Sequence, residues 1–380
     1  MTNTLNLNTH WKVGVELELL APVGSNRYLL AEAIAQSFGD YDVIPMFHYE
    51  SEPSKIEGQP IFENLTLGFE VLDPSGSLIA KCVDDLTIQH ELDDSAAPKP
   101  GWFRIVSDDK RFLRLVDRYV DWEQGYPGLL EPLSGVFGAP LQHLEEGLVS
   151  LYDTGGDSIF IGAPLPGERE RPCELITAPM LSDREELLAR MTSLAQTLDF
   201  QIPREGALHL HFDAQILKNT SIFKRLVLFF VKWGEPLKTL VKLNPYCKRL
   251  GPWDPSLLSL VEQSDFESLS WSEACERLKH VELTKYCDFN LLNLVRGSAL
   301  KDTFEIRIFR ATLNLEEILM NIHLFEALLK AIVLKKDLNV SPSPLNKVSV
   351  PSLIGLLESF ASEGILAAES LSYWRDRARD

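Results

Sequence analysis

The chain has 380 residues, 45% of them hydrophobic and 24% charged, the balance expected of a globular protein with room for a substantial core. Its formal net charge of −18 argues against a generic nucleic-acid surface or an anionic-membrane binder, while leaving room for an anion held in a local cationic or metal-lined pocket. Five scattered cysteines, Cys82, Cys173, Cys247, Cys275 and Cys287, form no C-x-x-C pair, which points away from a zinc or redox site and toward a reducing cytoplasm.

The opening MTNTLNLNTHWKVGVELELL lacks a basic segment followed by an apolar core, so no signal peptide is expected. No apolar run approaches the ~18 residues of a membrane span. WKVGVELELLAP reads as the first strand, closed by Pro22, and a helix follows around Tyr28–Phe38. Residues 40–65 read as irregular because of their Pro and Gly content. FEVLDPSGSLIAKCV reads as a hairpin, since DPSG offers turn-forming residues between two β-prone runs. LTIQHEL and WFRIV extend the strand series. KRFLRLVDRYVDW spaces Leu113, Val116 and Val120 as a helix does. Residues 122–170, rich in Gly and Pro, read as a long loop region or lid, with YDTGGDS inside it as an ordinary turn.

CELITAP is a strand stopped by proline, and Ser182 or Asp183 caps the helix expected to run to about Leu198. ALHLHFD is the next strand. A helical region covers 219–243, with an interruption expected at Gly234-Glu235-Pro236. Loop and helical patterns fill the chain to about residue 281, TFEIRIFRATL is a late strand, and 315–336 is an amphipathic helix. NVSPSPLNK reads as a linker, so the expected organisation is one catalytic domain over 1–340 and a helical extension over 341–380. Strands mixed with helices without regular βα alternation predict an α+β fold with an antiparallel or mixed sheet.

Four strands share one oddity. Residues two apart on a strand point the same way, roughly 6.5–7 Å apart. His209, His211 and Asp213 therefore oppose Leu208, Leu210 and Phe212; Glu16 and Glu18 oppose Val15, Leu17 and Leu19; Glu305 and Arg307 oppose Phe304, Ile306 and Ile308. Glu174 and Thr177 lie near the end of CELITAP. Taken singly, each pattern is what a half-exposed antiparallel strand with a wet face looks like, and a Glu/Arg pair is an ordinary bridge between strands. Taken together, oxygen and imidazole groups on one face suit a divalent cation, with carboxylates favouring Mg²⁺ or Mn²⁺. Paired glutamates need such a cation, or a raised pKa, to relieve their repulsion. Arg307 beside Glu305 then fits a phosphate clamp, and the set suits phosphoryl transfer. No P-loop or kinase glycine loop is present.

The ordered set GVELEL, CELITAP, ALHLHFD and TFEIRIFRATL resembles the amidoligase family of the glutamine-synthetase-like carboxylate–amine ligase superfamily, over roughly residues 10–335. The related glutamine-synthetase pattern has an E-x-E strand, a later metal-binding Glu, an H-x-H strand and a final E-x-R strand. The resemblance implies a curved, mainly antiparallel sheet backed by helices, like the glutamine-synthetase catalytic domain, and ATP-dependent joining of a carboxylate to an amine through an acyl phosphate. It implies divalent-metal ligands at Glu16, Glu18, Glu174, His209 and Glu305, His211 facing ATP, and Arg307 on the transferred phosphate. WFRIVSDD is similar to a family strand with an acidic end, which makes Asp108 a candidate for substrate binding; Asp213 has no counterpart and is a candidate for orienting a histidine. Arg296 in NLLNLVRG and Arg249 in YCKRLG are candidates for phosphate or carboxylate. The expected cofactors are ATP with Mg²⁺ or Mn²⁺, and the expected partners are a small-molecule or peptide carboxylate and an amine, with no nucleic acid and no membrane. A phosphotransferase on the same fold, a non-catalytic nucleotide- or protein-binding relative, and a metal-dependent hydrolase using His209, His211 and Glu174 are the alternatives.

Overall fold

A computed structural model of the chain describes residues 11–56, 59–126, 128–247, 250–297, 302–336, 338 and 348–379. Among the described residues the strands are β1 (Val13–Leu20), β2 (Asp42–Ile56), β3 (Gln59–Leu72), β4 (Leu78–Val83), β5 (Phe103–Ser107), β6 (Gln142–His143), β7 (Val149–Tyr152), β8 (Ser158–Pro164), β9 (Pro172–Thr177), β10 (Ala207–Asp213), β11 (Phe289–Asn290) and β12 (Thr303–Arg310). Their pairings are antiparallel and the fold is α+β, as the mixed pattern predicts. No helix among the described residues is long and apolar enough to cross a membrane. The chain divides into two compact units, Met1–Leu17 with Pro179–Thr192 and Glu205–Asp380, and Glu18–Ala178 with Ser193–Arg204.

In the first unit the strand order is β11–β12–β10–β1. Val15 stands opposite Leu210 and Leu17 opposite Leu208, while Leu210 meets Ile306 and Phe212 meets Phe304. This places the apolar half of every alternation on one face. Helices Thr220–Leu240 and Leu315–Val333 cover that face. Phe230 packs its ring 4.4 Å from Phe289, 5.4 Å from Phe304 and 6.1 Å from Phe325. The expected break at Gly234-Glu235-Pro236 does not occur; Thr220–Leu240 is one helix with Pro236 inside it. Proline removes one helical hydrogen bond, but Trp233, Gly234, Pro236 and Leu237 are all buried, so tertiary packing overrides the local preference. Gly234 gives a close approach there: a Cβ would lie 3.2 Å from the Phe289 ring. The tail helices Val350–Ser362 and Ala368–Arg377 fall in this unit, where Trp374 is fully buried and Arg377 Nη2 donates to Glu317 Oε1 at 2.6 Å. The expected linker NVSPSPLNK and Arg249 lie outside the described residues.

In the second unit the order is β9–β4–β3–β5–β8–β7–β6, with β2 paired along β3. The stretch 40–65, read as irregular, is instead mostly the long β2–β3 hairpin. Its Pro45 is tolerated because, among the described residues, β2 pairs with β3 alone and needs no ladder donors on its outer side. LTIQHEL is not a strand but a turn: Asp85 Oδ1 accepts from the Thr87 N–H at 2.7 Å, and Asp85 Oδ2 from the Thr87 hydroxyl at 2.8 Å. The segment 122–170, read as loop, holds β6, β7 and β8 and the helix Pro132–Phe137. Leu130, Leu133, Val149, Leu151 and Phe160 from it share a core with Phe47, Leu65 and Ile105. YDTGGDS is a turn, as expected: Asp153 Oδ1 accepts from the Gly155 and Asp157 N–H groups, and Gly156 takes φ +92°.

Candidate functional site

The polar half of the first unit's sheet collects the residues that alternation singles out. Glu16 stands opposite His209 across β1 and β10, and His211 opposite Glu305 across β10 and β12. A register shift between Leu208 and Leu210 separates the two histidine positions on the β12 side. The His211 Nε2 lies 3.1 Å from Glu16 Oε1 and 4.0 Å from Glu305 Oε1. His209 Nδ1 lies 3.4 Å from Glu16 Oε2 and 3.8 Å from Glu305 Oε1. Ligand atoms of Glu16, His211 and Glu305 all fall within 4.8 Å of one another, a spacing that can hold one cation.

Arg307 comes in from the same strand as Glu305, its Nη1 donating to Glu305 Oε1 at 2.5 Å. It is therefore paired with a neighbour along its own strand. The other Glu305 oxygen, Oε2, accepts from Asn290 Nδ2 at 2.6 Å. Asn290 is buried opposite Glu305 in the β11–β12 register, and its own Oδ1 accepts from the Leu292 N–H at 2.8 Å. That second bond fixes the amide so that Nδ2 faces the carboxylate. One Glu305 oxygen is thereby tied down, and the other faces the histidines and the guanidinium.

These contacts set the protonation. Burial pushes the Glu16 carboxyl up, but the charge of His211 and hydrogen bonds with both histidines outweigh it and hold the group well below the usual carboxylate range. Glu305 follows the same logic: burial and the Glu16 charge raise it, while His211, Arg307 and His209 bring it below its ordinary value. Burial, then the Arg307 charge, lower His209 against the pull of the two glutamates. A divalent cation takes carboxylates ionised and imidazoles neutral, so metal binding at this cluster competes with protons.

The remaining candidates are placed individually. Glu18 is buried further along β1, on the face of Glu16. Glu174 is half-buried on β9 of the second unit, in register with Val83. Asp108 is exposed just after β5. Asp213 ends β10, and its Oδ1 accepts from the Gln215 N–H at 3.0 Å as a turn cap. The His211 Nδ1 instead lies 3.3 Å from the Thr303 hydroxyl. Arg296 is exposed at the end of the short helix Leu292–Arg296.

Sequence reasoning missed Asn290 and Thr303. Asn290 sits on a two-residue strand, too short to show alternation, so only strand register exposes it. Thr303 was visible as the residue two before Glu305, on the same face.

Comparison with known proteins adds one finding: a family model described as "Putative amidoligase enzyme" matches residues 9–329. No curated protein and no solved structure matches the chain.

Proposed function

The chain belongs to the amidoligase family, and from that premise we propose that it is an ATP- and Mg²⁺-dependent carboxylate–amine ligase working through an acyl phosphate. The observation that carries this reading is the convergence of Glu16, His211 and Glu305, with Arg307 bonded to the same Glu305 oxygen that faces the histidines. Glu16, His211 and Glu305 would hold a divalent ion, with His209 beside them; Glu18 and Glu174 join the set through the family resemblance. When bound, the ion would supply neutralisation of phosphate charge.

The chain's own groups divide the rest of the work. Arg307 sets a planar, charged guanidinium beside Glu305, a geometry that suits the oxygens of a phosphoryl group in transfer. Asn290 holds Glu305 in the orientation that ligation needs. The substrate carboxylate attacks the γ-phosphorus of ATP; a carboxylate O–P bond forms as the bond to ADP breaks. The amine then attacks the acyl carbon, the C–O bond to phosphate breaks, and the nitrogen gives its proton to the departing phosphate to leave an amide.

If Asn290 orients a metal ligand, Asn290→Ala is expected to weaken Mn²⁺ binding about 10–100-fold, the range for losing such an outer hydrogen bond. An electron paramagnetic resonance titration of Mn²⁺ checks this, and unchanged affinity would confine Asn290 to a packing role.

The reaction itself is tested by ADP release over a panel of carboxylates and amines, with product masses recorded and hydroxylamine as a trap. A ligase releases ADP in step with amide, and hydroxylamine diverts the acyl phosphate to a hydroxamate. ADP with phosphate left on a stable acceptor and no hydroxamate would make the protein a phosphotransferase. Substrate cleavage without ATP would make it a hydrolase.

A further inference from the structure

The second unit has a polar face of its own on the β2–β3 hairpin. Residues opposite each other in antiparallel register point to the same side, and residues two apart share it. Glu50 of β2 stands opposite Asn64 of β3, and Thr66 follows on the same side. Phe47, Leu65 and Ile105 occupy the other side, in the hydrophobic core. Asn64 and Thr66 are both 0% exposed, yet the Asn64 Oδ1 and Nδ2 and the Thr66 hydroxyl have no hydrogen-bond partner. Glu50 Oε1 accepts from the Leu86 N–H at 3.2 Å, while its buried Oε2 has no partner.

The turn that supplies Leu86 also brings in acid. Burial, then the charges of Asp85 and Asp84, push the Glu50 carboxyl well above its ordinary range. Asp84 is fully buried; its Oδ1 is bonded by Arg169 and lies 3.8 Å from Arg27 Nη1, and its Oδ2 has no partner. Arg104, opposite Thr66, flanks the far end and has contacts of its own. Glu50, Asp84 and Asp85 gather here with Arg27, Arg169 and Arg104, yet Glu50 Oε2, Asp84 Oδ2 and the Asn64 and Thr66 side-chain oxygens have no donor. Buried oxygens without donors are unfavourable, so a group that brings several donors is favoured here.

We propose that this face is a binding site for a primary ammonium group, held by Glu50 Oε2, Asn64 Oδ1, Thr66 Oγ1 and Asp84 Oδ2. An ammonium group carries three donors that each take a separate oxygen at hydrogen-bond distance. Glu50, Asp84 and Asp85 do not form a group of three ligand atoms within 4.8 Å of one another. Ammonium binding by this face does not depend on the function proposed above.

The test uses the full chain in EDTA without nucleotide, so its failure leaves the ligase reading standing and a failed ligase assay leaves this site standing. Methylammonium chloride is titrated against tetramethylammonium chloride and sodium chloride at matched ionic strength, following binding heat and melting temperature. Saturable binding and stabilisation are expected from methylammonium alone. Glu50→Gln, which keeps the shape and removes the charge, should weaken binding at least about tenfold. Thr66→Val, which removes one acceptor, should weaken it by about threefold or more. Equal effects of the three salts, or undiminished methylammonium affinity in Glu50→Gln, would overturn the site. Should Glu50→Gln not fold, undiminished affinity in Thr66→Val would do the same.

Discussion

Arg307→Lys is expected to fold normally, bind Mg²⁺-ATP within a few-fold of the parent, and turn over roughly 10²–10³-fold more slowly, as when one preorganised donor to developing charge is lost. Lysine can keep the charge pair with Glu305, which in the parent is a 2.5 Å contact between groups 16% and 6% exposed. It loses the planar fork, so it cannot hold Glu305 and present paired donors to a phosphoryl group at once. A purely structural Arg307 predicts the reverse outcome. Lys would then largely retain the charge pair, and turnover would stay near normal. Thermal melts and steady-state rates on one preparation separate the two, and near-normal turnover would remove Arg307 from the mechanism.

Glu305→Gln should be more severe. The carboxylate meets His209, His211, Arg307 and Asn290, so removing its charge leaves Arg307 without the partner at 2.5 Å and leaves the cluster one ligand short. Outer hydrogen bonds to a ligand are worth about 10–100-fold in metal affinity, and loss of the ligand itself should exceed ~100-fold. Stability should fall too. Stranding a fully buried charge costs about 3–5 kcal/mol; with Arg307 16% exposed and Gln still able to accept a hydrogen bond, about 1–3 kcal/mol is expected. Mn²⁺ titration and chemical denaturation read the two effects separately. Intact Mn²⁺ affinity in a folded variant would remove Glu305 from the ligand set.

What the sequence made legible follows from periodicity. β1, β10 and β12 are long enough to show the two-residue repeat, and one alternation defined both the buried face and the polar cluster. Asp213 shares that repeat with His209 and His211 yet caps the turn that ends β10, because alternation assigns a face and not a partner. Asn290 was illegible for the opposite reason: β11 offers two residues, and the bond to Glu305 arises from register alone. Proline misled twice, at Pro45 and Pro236. In the first case an outer strand has no ladder donor to lose; in the second, burial holds the helix together. The strands β7 and β8 were hidden among glycines and prolines, although Val149, Leu151 and Phe160 carry an apolar repeat that fits the core they join.

Calorimetry of ATP binding, with and without Mg²⁺, on the parent chain and on Glu16→Gln combined with Glu305→Gln, tests the central claim most directly. If Glu16, His211 and Glu305 hold a metal that binds the nucleotide, parent affinity will depend strongly on Mg²⁺ and the double variant, folded by its melting curve, will lose that dependence. Nucleotide affinity that is indifferent to Mg²⁺ and the same in the double variant would contradict the account.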